Sequence, residues 1–207
     1  LHVLLTDRLT CPRCGPAFGL ILLADRVEDR RVYEGLLGCP NCRDQFPVSA
    51  GFGDLRAPPR DPLPGVVAGP GTPSDEETTR IAALLGVARG PGNLALVGPV
   101  AEHAEGLADL LDDIEVVAVW PPLRERPERP GVSRLAAGPG LPFFSGTLRG
   151  VALVGEAADR FLAEAARAVA SPGRVVVLDA PDATRERLEA LGLSTVLQEP
   201  GLLVASR

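Results

Sequence analysis

The sequence predicts an α/β fold: a mostly parallel sheet that ends in an antiparallel hairpin, preceded by a small β module that carries all the cysteines. Three observations predict it. From residue 74 onward, short aliphatic runs alternate with amphipathic helical segments, the pattern of a sheet covered on both faces. The last two aliphatic runs are separated only by Glu199-Pro200-Gly201, a turn that joins antiparallel neighbours. The four cysteines fall as two close pairs near the N-terminus.

Composition sets the outer bounds. The 207 residues suit one large domain, or a small module plus a medium one. A hydrophobic content of 45% supports a real core, and with aromatics at only 4% that core is aliphatic. Every basic residue is Arg, which, with abundant Ala, Gly and Pro, reads as codon bias and not as function. The net charge of −6 and a pI near 5.0 speak against a general nucleic-acid binder. No apolar run approaches the ~18 residues of a membrane span, and the N-terminus lacks the pattern of an export signal. The chain begins at Leu1 and contains no Met, so the true start is expected to lie upstream. Paired cysteines without an export signal point to a reducing, cytoplasmic setting and a metal.

Residues 1–56 form the first predicted unit. Cys11-Pro12-Arg13-Cys14-Gly15 and Cys39-Pro40-Asn41-Cys42 are two CxxC knuckles with 24 residues between them. Two-residue spacing aims both thiolates of a knuckle at one ion, and Gly15 supplies the positive φ that closes the turn. Strands are predicted at Gly19–Leu23, Arg31–Leu37 and Gln45–Val48. The result is a zinc ribbon with Cys11, Cys14, Cys39 and Cys42 as ligands of a structural zinc. A rubredoxin-like iron site and a thiol-exchange role are the alternatives. So small a module lacks a sufficient core of its own, so metal binding supplies its folding energy.

Residues 57–73, rich in Pro and Gly, read as a semi-rigid spacer in which Val66-Val67 could dock on a neighbouring surface. Residues 74–207 form the second unit. Ser74 with Glu77 is a capping box for a helix to about Leu85, stopped by Gly86. Then follow a strand at Leu94–Val97, a helix at Ala101–Leu111, a strand at Glu115–Val119 and a Pro/Arg-rich loop at Pro121–Pro130. A weak strand lies near Val132–Leu135 and a stronger one at Leu148–Val154. A helix over Glu156–Val169 and a strand at Arg174–Leu178 come next. Asp182 caps a helix to about Leu191, which Gly192 ends. Ser194–Gln198 and Leu202–Ser206 form the closing hairpin.

Two stretches carry family resemblances. The CPxCG knuckle, Val32-Tyr33-Glu34-Gly35, Leu37-Gly38-Cys39-Pro40, Phe46-Pro47-Val48-Ser49-Ala50-Gly51 and Asp54-Leu55-Arg56 resemble the small zinc-binding activator subunit of RNA and protein methyltransferases. That likeness covers about the first quarter of the chain and implies a module that packs on a methyltransferase domain and stabilises it. Residues 74–207 resemble the class I S-adenosylmethionine-dependent methyltransferase fold, a seven-stranded Rossmann-like sheet with a reversed final strand. Leu141-Pro142-Phe143 with Ser145-Gly146, and Ser171-Pro172-Gly173 before Arg174–Val177, are similar to the family's entries to its fourth and fifth strands.

The resemblance also locates the cofactor positions, and there the chain departs from it. The family's first-strand acid falls on Leu96. Of the glycines that let the backbone approach the cofactor, Gly98 is present, while Val100 and Glu102 replace the other two. The ribose-binding carboxylate falls on Trp120, a bulky group that only donates. No acid stands in Ala137–Gly140, and the family's Asp before strand four falls near Arg149 or Gly150. Gly98, Val100, Glu102 and Trp120 therefore mark a degenerate cleft, and no catalytic residue is assigned. His103 is read as a surface or capping residue and Asp109, Asp112 and Asp113 as a solvent-facing group. Arg124, Arg126, Arg129 and Arg134 form a solvated loop or an RNA phosphate contact. The expectation is a zinc-binding, methyltransferase-like, non-catalytic scaffold or regulatory protein, a pseudoenzyme. The alternative is an active S-adenosylmethionine-dependent enzyme acting on RNA or protein. Expected partners are a methyltransferase or another protein, or a second copy as a homodimer. RNA is disfavoured by the pI and no membrane is expected.

Overall fold

Among the described residues eleven strands hydrogen-bond into a single sheet where seven were expected, because four strands of the N-terminal module join it, while two others pair apart from it. The computed structural model describes residues 1–63 and 73–207. In chain order the first part contains α1 (Val3–Thr6), β1 (Thr10–Cys11), β2 (Gly15–Gly19), β3 (Ile21–Glu28), β4 (Arg31–Gly38), β5 (Gln45–Ser49) and β6 (Phe52–Arg56). The second contains α2 (Asp75–Leu85), β7 (Arg89–Val97), α3 (Ala104–Leu110), β8 (Asp112–Val119), β9 (Val132–Gly138), β10 (Leu148–Val154), α4 (Glu156–Ala168), β11 (Val169–Ala180), α5 (Thr184–Ala190), β12 (Ser194–Glu199) and β13 (Gly201–Ser206).

The large sheet has the order β12-β13-β11-β10-β7-β8-β9-β6-β5-β4-β3. Strands β7 to β11 are mutually parallel. The chain lays down β7, β8 and β9 in one direction, then crosses over to place β10 and β11 on the other side of β7. This doubly wound order puts the switch point between β7 and β10. The closing hairpin is antiparallel as expected, but its second strand, β13, is inserted between β11 and β12, antiparallel to both, so β12 forms the edge.

Period-two alternation sends side chains to two cores. Leu94, Leu96, Val116 and Ala118 pack beneath α2 and α3, whereas Ala95, Val97, Val117 and Val119 share a core with α4, α5 and the N-terminal segment. Both faces of these strands are buried, which is why they read as unbroken aliphatic runs. Local signals fix the helix ends. The Ser74 hydroxyl accepts the Glu77 N–H at 3.1 Å, and Gly86 and Gly192 take left-handed conformations at φ 67° and 83°. The helix expected from Ala101 begins instead as a 3-10 turn at Pro99–His103, and the helix expected from Asp182 begins at Thr184.

The seam between the two parts is a parallel pairing of β6 with β9, from Phe52 beside Arg134 to Arg56 beside Gly138. A buried charge network reinforces it. Arg31 donates through Nε to Glu128 Oε1 and through Nη1 to Glu115 Oε1, both at 2.7 Å, and through Nη2 to the Val132 carbonyl. Arg134 donates to Glu128 Oε2 at 3.1 Å and to the Ala50 carbonyl at 3.0 Å. Ser133 Oγ donates to Glu115 at 2.6 Å. The Arg31, Arg134 and Glu128 side chains are 5%, 3% and 2% exposed, so each charge depends on its partners. Gly51 (φ 78°) lies against the Glu128 carboxylate and leaves no room for a Cβ.

The described part of the predicted spacer is docked on this body. The Ala57 N–H donates to the Gly138 carbonyl at 2.8 Å, and Arg60 donates to the Gln45 carbonyl while covering the Phe46 ring. The docking expected of Val66-Val67 lies outside the described residues.

Replacing Arg31 by Leu takes from the largely buried Glu115 its paired guanidinium and leaves Glu128 with one arginine in place of two. Urea denaturation is expected to show a loss of about 3–5 kcal/mol. A loss below about 1 kcal/mol would mean that water already reaches Glu128 and Glu115.

Candidate functional site

The two knuckles bring Cys11, Cys14, Cys39 and Cys42 together with every Sγ within 4.8 Å of the others. Cys11 Sγ and Cys42 Sγ are 3.6 Å apart, and Cys14 Sγ and Cys39 Sγ 3.8 Å. A tetrahedral ion bound at about 2.3 Å from each sulfur requires sulfur–sulfur separations of about 3.8 Å, so the donor set fits such an ion. β1 and β2 present the first knuckle, with Gly15 at φ 89° closing its turn. β4 and β5 present the second, held by the Cys39 N–H on the Asp44 carbonyl at 2.9 Å.

Outer contacts orient the sulfurs. The Cys14 N–H lies 3.4 Å from Cys11 Sγ, and the Asn41 side-chain amide donates to Cys14 Sγ at 3.3 Å. Arg13 pairs with Asp44 at 3.0 Å and donates to the Pro58 carbonyl at 3.0 Å, tying both knuckles to the chain beyond β6. Burial pushes the Cys11 and Cys42 thiols up. Burial acts in the same direction on Cys39, but the N–H groups of Cys42 and Asn41 and the Cys11 and Cys42 side chains outweigh it and bring that thiol down to about 7.

The positions that the methyltransferase resemblance would assign to a cofactor lie elsewhere, at the carboxyl end of β7. Gly98 has φ 85°. A Cβ placed on it would stand 2.9 Å from the Ala157 Cβ and 3.5 Å from the Val154 carbonyl. The turn after β7 therefore rests on the first turn of α4, which follows β10, and the two loops that flank the switch point are in contact. Pro99 has no N–H to offer an anion. Val100, read from the sequence as part of a degenerate cleft, points inward and is buried in the core beneath α2 and α3. Glu102 is paired with Arg126 at 3.0 Å. Trp120 is half-buried against the same core and opens the 3-10 turn Pro121–Glu125.

His103 braces this turn. Thr78 Oγ1 donates its single proton to the Ser74 carbonyl at 2.9 Å, so at 2.8 Å it accepts from His103 Nδ1. Burial keeps the ring below the usual histidine range. The arginines of the run between Arg124 and Arg134 are engaged within the chain. Arg134 is buried in the seam, Arg126 faces Glu102, and Arg129 faces Glu105 and Asp109. Arg124 contacts Glu125 at 3.4 Å. Asp112 and Asp113 are exposed where β8 begins. Sequence reasoning missed Arg13, Asn41 and the Gly98–Ala157 contact. The first two sit inside or beside the knuckles and were open to inspection there.

No protein-family model matches the chain. None of the curated proteins matches it either. Among solved structures, one similar chain is a proposed methyltransferase from an antibiotic biosynthesis pathway of Anabaena variabilis ATCC 29413. It aligns with a TM-score of 0.44 and 22% identity over 52% of this chain, which spans about half (46%) of that protein's length. No helix among the described residues is long and apolar enough to cross a membrane.

Metal binding at pH 7 is expected to displace the protons of Cys11 and Cys42. Apparent affinity should therefore rise between about pH 6 and pH 8, and titration in buffers of different ionisation enthalpy should show proton release. A pH-independent affinity is incompatible with a thiolate site. Asn41→Ala is expected to weaken metal binding about 10-fold, read by chelator competition.

Proposed function

We propose that the chain is a zinc-binding, methyltransferase-like scaffold that does not itself transfer methyl groups and acts by binding another macromolecule. The observation that supports this reading is the close approach of Gly98 to Ala157, at the point where a doubly wound sheet opens to receive a nucleotide-like cofactor. Leu96, Val100 and Trp120 offer no carboxylate where the resembling family holds the methionine and ribose parts, and Glu102 is engaged by Arg126.

In this proposal the four cysteines hold zinc, whose preference for four thiolates in a closed tetrahedron matches the donor set. A zinc held by Cys11, Cys14, Cys39 and Cys42 would have no ligand position left over and would play a structural part. Its contribution is to fasten β1, β2, β4 and β5 at one corner. An iron ion would use the same ligands. The ribbon's role is to cover the outer edge of β9 through β6, as expected of a module that packs on a methyltransferase domain.

Calorimetry with S-adenosylmethionine is expected to give no saturable heat. Micromolar binding, together with methyl transfer from labelled cofactor to bulk RNA or protein that Gly98→Val abolishes, would instead establish an active enzyme whose α4 moves off the turn. Elemental analysis should return about one zinc per chain in colourless protein. A red protein with visible thiolate–iron absorption would assign iron.

A further inference from the structure

The end of the sheet opposite the switch point, where the parallel strands begin, is divided in charge. Four arginines occupy four consecutive strands there: Arg207 follows β13, Arg174 lies in β11, Arg149 in β10, and Arg89 opens β7. None of them makes an ion pair among the described residues, unlike Arg126, Arg129 and Arg134. Three are anchored on carbonyls through Nη1: Arg149 on Arg89 and Pro91, Arg174 on Leu84, and Arg207 on Ala166. These bonds fix the guanidinium groups without neutralising them. Arg89, Arg149 and Arg207 are exposed and Arg174 is half-buried.

One strand further across the sheet the sign reverses. Asp112, the register partner of Arg89, and Asp113 begin β8. With Asp29 they line a groove of ≈ 740 Å³. Of the other charged groups lining it, Arg31 and Arg129 are already paired, the latter with Asp109, and Glu115 is held by Arg31. Burial lowers the His2 pKa, favouring the neutral ring at pH 7. Asp29, Asp112 and Asp113 thus stand against Arg8 alone. Exposed leucines flank both halves: Leu191 closes α5 just before β12, Leu110 closes α3 just before Asp112, and Leu4 lines the groove.

We propose that this end of the sheet is a two-fold self-association surface, in which the arginine row of one copy faces the acidic groove of a second copy, and the reverse. A closed two-fold contact uses each half once per copy, so a surface carrying both signs side by side is self-complementary. The axis falls near the boundary between β7 and β8. Charge pairing sets the register, and the leucines supply apolar area that exposed ion pairs lack. A polyanion lying along the arginine row meets Asp112 and Asp113 about 4.8 Å beyond Arg89, and a net charge of −6 besides. That favours the second copy over a nucleic acid.

Sedimentation velocity tests this on the full chain. The native protein is expected to sediment as a dimer of the 21.6 kDa chain at low salt and to dissociate as salt rises. Arg89→Glu/Arg149→Glu should be monomeric, and so should Asp112→Arg/Asp113→Arg. Both change exposed residues, and circular dichroism checks their folding. Mixed in equal amounts, the two variants should recover the dimer, because each reversed half then meets its complement. A native protein that is monomeric at about 100 µM in low salt overturns the proposal, as do variants that both remain dimeric. A monomer that instead retains a single-stranded RNA oligonucleotide with a salt slope near −2.8, lost in the arginine variant, overturns it in favour of a polyanion partner.

Discussion

The outer edge of β9 is the constraint on which the rest of the architecture depends. Six of its seven residues are buried, so its unpaired backbone N–H and C=O groups could not be left to water or to apolar side chains. β6 satisfies them by lying parallel to it. Strands β5, β4 and β3 then extend the sheet, with the second cysteine knuckle between β4 and β5 and the first on the separate β1–β2 ribbon. Arg31, Arg134, Glu128 and Glu115 close the seam from the side. Their charges balance, and each is held by at least two partners, the condition under which a buried ionic group is tolerated.

Most of the α/β layering is legible in the sequence because its signals are local. Leu94–Val97 announces a strand buried on both faces by its composition alone, and Ser74, Gly86 and Gly192 mark helix ends through conformations that few other residues adopt. The knuckles are legible for the same reason. β6 is not. Phe52-Gly53-Asp54-Leu55-Arg56 contains two poor strand formers, and its partner lies some eighty residues downstream. The seven-strand expectation fails on that long-range pairing. Arg134 is misleading in the opposite way. It follows a run of Arg and Glu that suits an exposed loop, and only the tertiary approach of Ala50 and the buried Glu128 shows that it is interior.

The cysteine cluster and the switch point are physically remote. The sheet order places β5 four strands from β7, about 19 Å at normal strand spacing. An ion among the cysteines cannot polarise a group near Gly98. Its effect on anything bound there has to pass through the sheet as stiffness or register. The crevice is shaped by its own loops: a glycine with φ 85° allows the backbone after β7 to descend onto Ala157, and Pro99 prevents that turn from offering a full set of amide donors.

Placing the cysteine module and the α/β layer in one chain has a cellular consequence. A free-standing module with an available strand edge can be shared among several clients, and their relative abundance then decides which is served. Here β6 is occupied by β9 of its own chain, at an effective concentration no competitor matches. Competition among clients is removed, and the stoichiometry is fixed at synthesis.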